Sequence, residues 1–487
     1  MRRLHTPTRP LGKLRTGRGP DCTIAVMWRS RGIAIGASSL AALAVLLCVP
    51  GLAAAELNPP PGTDLNPVLG YSTWSYLRLD VSAEKDEAEA LALSDSGLER
   101  LGYDYFDQDD GWYLCPGSQG PSVDSYGRWV TNAQLFPPGP DGENGITALA
   151  NYVHGLGLKF GIYVTPGISK QAVAENTPIM GTDDTADEIA TRRRENNYNC
   201  GGMLGIDYRR PGAQAFVNSI VDELAAWGVD FIKLDGITDA NAPDIAAWSQ
   251  AIRQSGRPMQ LDVTEGHFTP GIAGTLDEDA TQWESSPDIE CYECEQGESS
   301  FPLTDYRNVK LRFKTLASWH KFGGSQFNAY NDFDSVEVGN CEDDGLSVPA
   351  RETVLSLWSL ASSPMIIGAN LINLCQTDLD MLENTAVLAV DQDGVVGSPV
   401  TSGTHEQVVA KALDGGDVVV GLFDTGNTER LLSTSVSKLG LAPCKRGYAL
   451  ENLWTHQPST DSDGTVTAQV PPQGVALFEV KPLCGAG

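Results

Sequence analysis

The sequence predicts a parallel (β/α)₈ barrel followed by an antiparallel β-sandwich domain. Two observations carry this. Eight short apolar, strand-like runs alternate with helix-like runs between residues 69 and 367, the pattern of a parallel sheet covered by helices. After Gly394 the helical period stops, and short β-rich runs separated by turn residues take over.

The strand candidates are 69–74, 103–107, 159–164, 231–234, 259–263, 280–283, 326–330 and 364–367. Helical candidates between them span 84–100, 145–157, 211–227, 243–254, 305–320 and 349–361. In 211–227, Ala215, Val217, Ile220, Val221, Leu224 and Trp227 recur mostly three or four residues apart, giving one apolar face. The stretch 165–207 is too long for a simple strand-to-helix connection. Loops after barrel strands lie at the active-site end, so a small subdomain over the pocket is expected there. The barrel is assigned 68–394 and the β domain 395–487, with turns at Gly415-Gly416, 424–427 and 461–464.

The N-terminus is different in kind. Residues 2–31 carry eight Lys/Arg and one Asp, an apolar stretch follows from Ile33, and Ala53-Ala54-Ala55 supplies small residues. This order reads as a secretory signal over 1–55, with Met27 an alternative start. Residues 56–67 hold four prolines and read as a linker. Removing 1–55 leaves 26 Lys/Arg against 62 Asp/Glu, a net charge of −36. Such a surface repels phosphates, so nucleic acid and anionic membranes are poor partners; neutral oligosaccharides or polysaccharides suit it. Eight cysteines remain outside the signal, an even number consistent with disulfides in a secreted chain. Cys291-x-x-Cys294 lacks the second ligand pair of a zinc site, and Cys444 and Cys484 are candidates to pair within the β domain.

Acidic residues collect at the ends of the strand candidates. Lys233 and Asp235 close the fourth and share one strand face, both toward the barrel mouth. An ammonium nearby favours an ionised carboxylate, the form a carboxylate nucleophile needs; the alternative is a structural ion pair. Asp109 and Asp110 follow the second strand, Glu265 the fifth, Glu284 and Asp288 the sixth, and Asp332 and Asp334 the seventh. Carboxylates accept hydrogen bonds from sugar hydroxyls. Trp74, Trp112, Tyr163 and Trp283 sit at strand ends and offer apolar faces for a sugar ring, or pack into the core.

These motifs resemble glycoside hydrolase family 27, the family of α-galactosidases and α-N-acetylgalactosaminidases, over residues 69–397. The resemblance is carried by Gly70-Tyr71-Ser72-Thr73-Trp74, Asp109-Asp110-Gly111-Trp112, and His154-Gly155-Leu156-Gly157 leading into Lys159-Phe160-Gly161-Ile162-Tyr163. It continues in Lys233-Leu234-Asp235-Gly236, in Tyr330-Asn331-Asp332-Phe333-Asp334 with Glu337-Val338-Gly339-Asn340, in Ser363-Pro364-Met365, and in Asp391-Gln392-Asp393. It implies a retaining exo-α-glycosidase without metal or cofactor. In that reading Asp235 is the nucleophile and Asp288 the general acid/base. Asp109 and Asp110 hold sugar hydroxyls, and Lys233, Trp74, Tyr163, Glu265 and Asp334 line the pocket.

Three departures stand out. Glu284 occupies a position where the family usually has an arginine that contacts a sugar hydroxyl. Gly111 and Ile237 stand where it usually has cysteines. The stretch 165–207 is also longer than in the simplest members. An α-galactosidase is expected. An α-glucan-directed member or a β-L-arabinopyranosidase are the alternatives, and a barrel that binds sugar without turnover is a remote one. If Glu284 contacts the ligand it must accept from a hydroxyl or pair with a cation, for which Arg192-Arg193-Arg194 is a candidate; otherwise that triplet is a solvated helix face.

Overall fold

In a computed structural model, residues 66–264, 268–296, 299–413 and 415–484 are described. The expected signal segment at 1–55, residues 56–65 of the linker, and Glu265 lie outside them.

The barrel strands are β1 (Leu69–Ser72), β2 (Tyr103–Gln108), β3 (Lys159–Val164), β4 (Phe231–Leu234), β5 (Gln260–Val263), β6 (Gln282–Glu284), β7 (Tyr330–Asp332) and β8 (Met365–Ile367). They form one parallel sheet in the order β7-β6-β5-β4-β3-β2-β1-β8. The sheet curls until its edges meet just past β7. There the Val336 amide donates to the Ile366 carbonyl (2.7 Å) and the Gly368 amide to the Val336 carbonyl (3.1 Å).

Between the strands run helices such as Ala83–Ser96, Gly145–Gly155, Pro211–Trp227, Ala242–Ser255 and Tyr306–Trp319. Local signals start and stop them. Ser82, Asn144 and Asp305 cap N-termini with their side chains, and Gly97 and Gly228 close C-termini in the left-handed conformation. Pro211–Trp227 turns Phe216, Val217, Val221 and Leu224 inward. Burying each is worth about 1.5–3 kcal/mol.

Several elements differ from expectation: Trp74 starts a short helix, Trp74–Leu77, rather than ending β1, and the helices Gln376–Leu382 and Thr385–Gln392 were not expected. The seventh strand begins at Tyr330, not at 326, because Asn328 adopts φ +55° and Gly324 bridges back to Ala329, making a turn of 324–329. The helix Ala273–Asp279 was not expected; only Ala273 and Leu276 of it are buried, too few to show a period.

The barrel interior is layered by the two-residue strand repeat. Val68, Tyr105, Phe231 and Ile366 form an apolar plug. Two residues onward, Asp107 and Lys233 join Asp262 and Asp332 around a small polar cavity. Two residues beyond that stand Asp109, Asp235 and Asp334, at the open end. The same alternation that packs the plug therefore aims the charged residues at the mouth.

The segment after β3 folds into a three-stranded antiparallel sheet of Ile168–Ser169, Ala190–Glu195 and Met203–Ile206, with short helices Lys170–Glu175 and Ala186–Ile189. Arg192-Arg193-Arg194 is thus strand, not a helix face. Arg193 pairs with Glu195 (2.5 Å) and Asp244 (3.4 Å), not with Glu284.

The C-terminal domain contains a six-stranded antiparallel sheet and a two-stranded one, Arg430–Ser435 with Thr465–Val470. In the central strand Val418–Asp424 every residue is buried. Val418, Val420 and Leu422 join Leu432 and Val466 between the two sheets, while Val419 and Phe423 belong to the barrel's core. A strand covered on both faces is apolar throughout. Four disulfides form: Cys115–Cys200, Cys291–Cys294, Cys341–Cys375 and Cys444–Cys484.

Candidate active site

A pocket of about 590 Å³ opens at the C-terminal ends of the barrel strands. Trp74, Asp109, Asp110, Tyr163, Lys233, Asp235, Glu284, Asp288 and Asp334 all line it. Most reach it from a strand end or the residues just beyond, where the chain leaves the sheet; Trp74 starts the short helix Trp74–Leu77 and Asp288 stands on the loop after β6.

Asp235 follows β4 and is half-buried. Its Oδ1 accepts from the Thr264 hydroxyl (2.9 Å) and its amide donates to the Val164 carbonyl (2.8 Å). Gly236 turns the chain immediately after it with φ +74°, where a Cβ would lie 2.9 Å from that of Asn196; no other residue fits that turn without strain. Burial pushes the Asp235 carboxyl up to about 7, Lys233 opposes that rise, and Asp109 adds to it. The expectation that Lys233 serves Asp235 directly needs amending. Lys233 Nζ pairs with Asp109 Oδ2 at 2.6 Å and acts on Asp235 only across space.

Asp109 and Asp110 are almost fully buried. The Asp110 amide donates to Asp109 Oδ1 (2.7 Å), and the Gly111 amide to Asp110 Oδ1 (2.7 Å). Asp110 Oδ2 accepts from the Asn199 amide nitrogen at 2.5 Å. Burial raises the Asp110 carboxyl, with Asn199 opposing. The Tyr163 hydroxyl is buried without a hydrogen-bond partner, a group a ligand would satisfy.

Across the pocket, Glu284 Oε, an Asp288 oxygen and an Asp334 oxygen lie within 4.8 Å of one another. Glu284 is 6% exposed and its Oε1 has no hydrogen-bond partner. Among the described residues no ion pair reaches it. Burial and the charges of Asp334 and Asp288 hold its carboxyl well above the usual range, with Arg312 opposing from a distance. Burial thus favours the protonated form of Glu284, which can both donate and accept. Asp334 sits at φ +73°, and its oxygens accept from the Ile289 and Ser335 amides, each at 2.6 Å. Asp288 is exposed at the mouth, and its Oδ2 accepts from the Tyr292 hydroxyl at 2.6 Å.

Six pocket residues escaped the sequence reading: Tyr198, Asn199, Thr264, Pro287, Glu290 and Tyr292. The signals for two of them were cysteines. Asn199 precedes Cys200, which is bonded to Cys115, and Tyr292 lies inside the Cys291–Cys294 loop. Gly111 and Ile237 carry no thiol, and Cys200 is tied to Cys115 beyond the Asp109-Asp110 turn.

Comparison with known proteins agrees with this layout. The Melibiase family model matches residues 63–258, the Alpha galactosidase A model residues 198–393, and the Alpha galactosidase C-terminal beta sandwich domain residues 404–480. An α-galactosidase of Oryza sativa subsp. japonica is 27% identical over 428 residues, covering 86% of each chain. One from Coffea arabica is 27% identical over 427 residues, covering 86% of this chain and 95% of its own. Among solved structures, a family 27 β-L-arabinopyranosidase from Geobacillus stearothermophilus aligns with a TM-score of 0.76 at 26% identity, over 87% of this chain and 98% of its own. Barrel and C-terminal sandwich thus agree with the matched families, and this chain belongs to glycoside hydrolase family 27.

Proposed function

We propose that the protein is a secreted, retaining exo-α-galactosidase that removes terminal α-D-galactosyl residues. The observation that carries this is the division of carboxyls within one pocket: Asp235 half-buried at the end of β4, and Asp288 exposed at the mouth. In a retaining enzyme one carboxylate attacks the anomeric carbon while the other protonates the departing oxygen. Asp235 forms the glycosyl–enzyme bond as Asp288 gives its proton to the glycosidic oxygen. Asp288 then takes a proton from water, the water oxygen attacks the anomeric carbon, and Asp235 leaves with the original configuration restored. Asp109, Asp110 and Lys233 bind hydroxyls at the closed end of the pocket, which fits a single terminal sugar. Secretion is supported by the signal-like residues 1–55 and the four disulfides.

The structural likeness to the Geobacillus arabinopyranosidase favours a second reading, hydrolysis of β-L-arabinopyranosides. The paired Asp109-Asp110 speaks for galactose, because the family tends to place a bulkier acid in that pair for arabinopyranose. A panel of nitrophenyl glycosides with dextran decides: preferred release from the α-galactoside supports the proposal, and preferred release from the β-L-arabinopyranoside or dextran rejects it. Asp235→Asn should abolish turnover with folding intact; retention of more than a few per cent of the rate would remove the nucleophile assignment.

A further inference from the structure

Asp288 stands on the loop after β6, exposed to solvent, where no ladder holds it. The titratable groups around it are mostly carboxyls: Glu284 and Glu290, both pushed up by burial, and Asp334, with Arg312 beside Asp334 and Arg78 beside Glu290. Among the described residues, Tyr292 supplies the hydrogen bond to its side chain.

Tyr292 is 42% exposed, yet held from several sides. Its hydroxyl donates to Asp288 Oδ2 (2.6 Å) and accepts from the Trp74 indole N–H (3.0 Å). The Arg78 guanidinium lies 4.8 Å from its ring centroid, and Arg78 is itself anchored by Glu290 (3.5 Å) and Glu295 (3.0 Å). The Cys291–Cys294 disulfide closes the backbone on both sides of it. Ordering an exposed side chain costs rotamer entropy, and this one is ordered through a donor chain that runs from Trp74 to Asp288.

We infer that Tyr292 is a positioning residue for Asp288, aiming its carboxyl at the leaving oxygen and forming the wall on which the leaving-group sugar rests. The inference rests on the reading of Asp288 as the acid/base. Whatever sits beside that group on the solvent side borders the leaving group, because the proton goes to the bond between the two sugars. Burial and the charges of Glu290 and Asp288 push the Tyr292 phenol far up, so it stays a donor. The hydrogen bond strengthens as negative charge develops on the Asp288 oxygen during proton transfer.

The test compares Tyr292→Phe, Tyr292→Ala and Asp288→Asn with the wild-type chain. kcat and KM are measured against pH on a nitrophenyl α-galactoside and on an unactivated α-galactosyl hexose. Tyr292→Phe should lower kcat on the disaccharide roughly tenfold and on the aryl substrate under about threefold, with KM little changed. The alkaline limb of its kcat/KM profile should move up by roughly one pH unit. Tyr292→Ala should also raise KM for the disaccharide, and both variants should unfold near the wild-type temperature. A purely structural tyrosine would lower the unfolding temperature and leave limb and leaving-group dependence unmoved; that result overturns the inference while the Asp288 assignment stands. If Asp288→Asn keeps the alkaline limb and shows no leaving-group dependence, the assignment falls first and the inference with it.

Discussion

Lys233 Nζ lies 2.6 Å from Asp109 Oδ2, so the cation at the pocket floor is bonded to a pocket-lining carboxylate rather than to Asp235, its neighbour two residues on. Asp235 is left to burial, and its carboxyl rises to about 7. Lys233→Met should raise it further, because the cation that opposes the rise is removed. kcat/KM at pH 7 should fall roughly a hundredfold, part of it recovered at higher pH as the acid limb moves up by about one unit or more. A pH–rate profile of the variant checks this; a uniform loss with an unmoved limb would mean that Lys233 acts only on substrate.

Glu284 stands buried and unpaired beside Asp288 and Asp334. In the protonated form that burial favours, it is matched by glutamine in shape and in hydrogen-bonding groups. Glu284→Gln should therefore keep kcat/KM within about twofold near pH 7, whereas Glu284→Ala should raise KM roughly tenfold through one lost hydrogen bond. A tenfold loss or a changed sugar preference in Glu284→Gln would show that the charge itself is used.

The Cys115–Cys200 bond joins residues 85 apart and fixes the loop that carries Asn199 onto Asp110. Replacing both cysteines with serine releases a long loop in the unfolded chain and should lower stability by about 2–4 kcal/mol. KM should rise several-fold as the Asn199 contact to Asp110 loosens, with kcat less affected. Steady-state kinetics and thermal unfolding on the same sample separate the two effects.

Stability should fall as pH rises through neutrality. Burial holds Asp107, Asp332 and Asp344 at about 7 and Glu290 and Asp391 at about 8; neighbouring carboxylates add to the rise in the first four, and Lys411 opposes it at Asp391. Between about pH 4 and 8 the folded chain thus binds more protons than the unfolded chain, and the linkage slope is negative. The net charge of −29 adds self-repulsion in the same direction. The unfolding midpoint should be higher at pH 5.5 than at pH 7.5 by roughly 5 °C or more. An unfolding temperature that climbs over that interval would contradict the burial-driven shifts.

Much of this protein was legible in its sequence because barrel strands are local objects. An apolar run such as Phe231-Ile232 specifies a strand, the two-residue repeat puts Lys233 and Asp235 on one face, and strand ends become the pocket rim. Where turn chemistry competed with apolarity, as at Asn328, the boundary slipped. What the tertiary structure decided were contacts between loops that follow different strands. Trp74 and Tyr292 are 218 positions apart, Asp110 and Asn199 are 89, and Lys233 and Asp109 are 124. No periodicity relates such pairs. Sheet closure sets which loop tips meet, and burial then determines which carboxyl keeps its proton; both depend on where the whole chain places its low-dielectric interior.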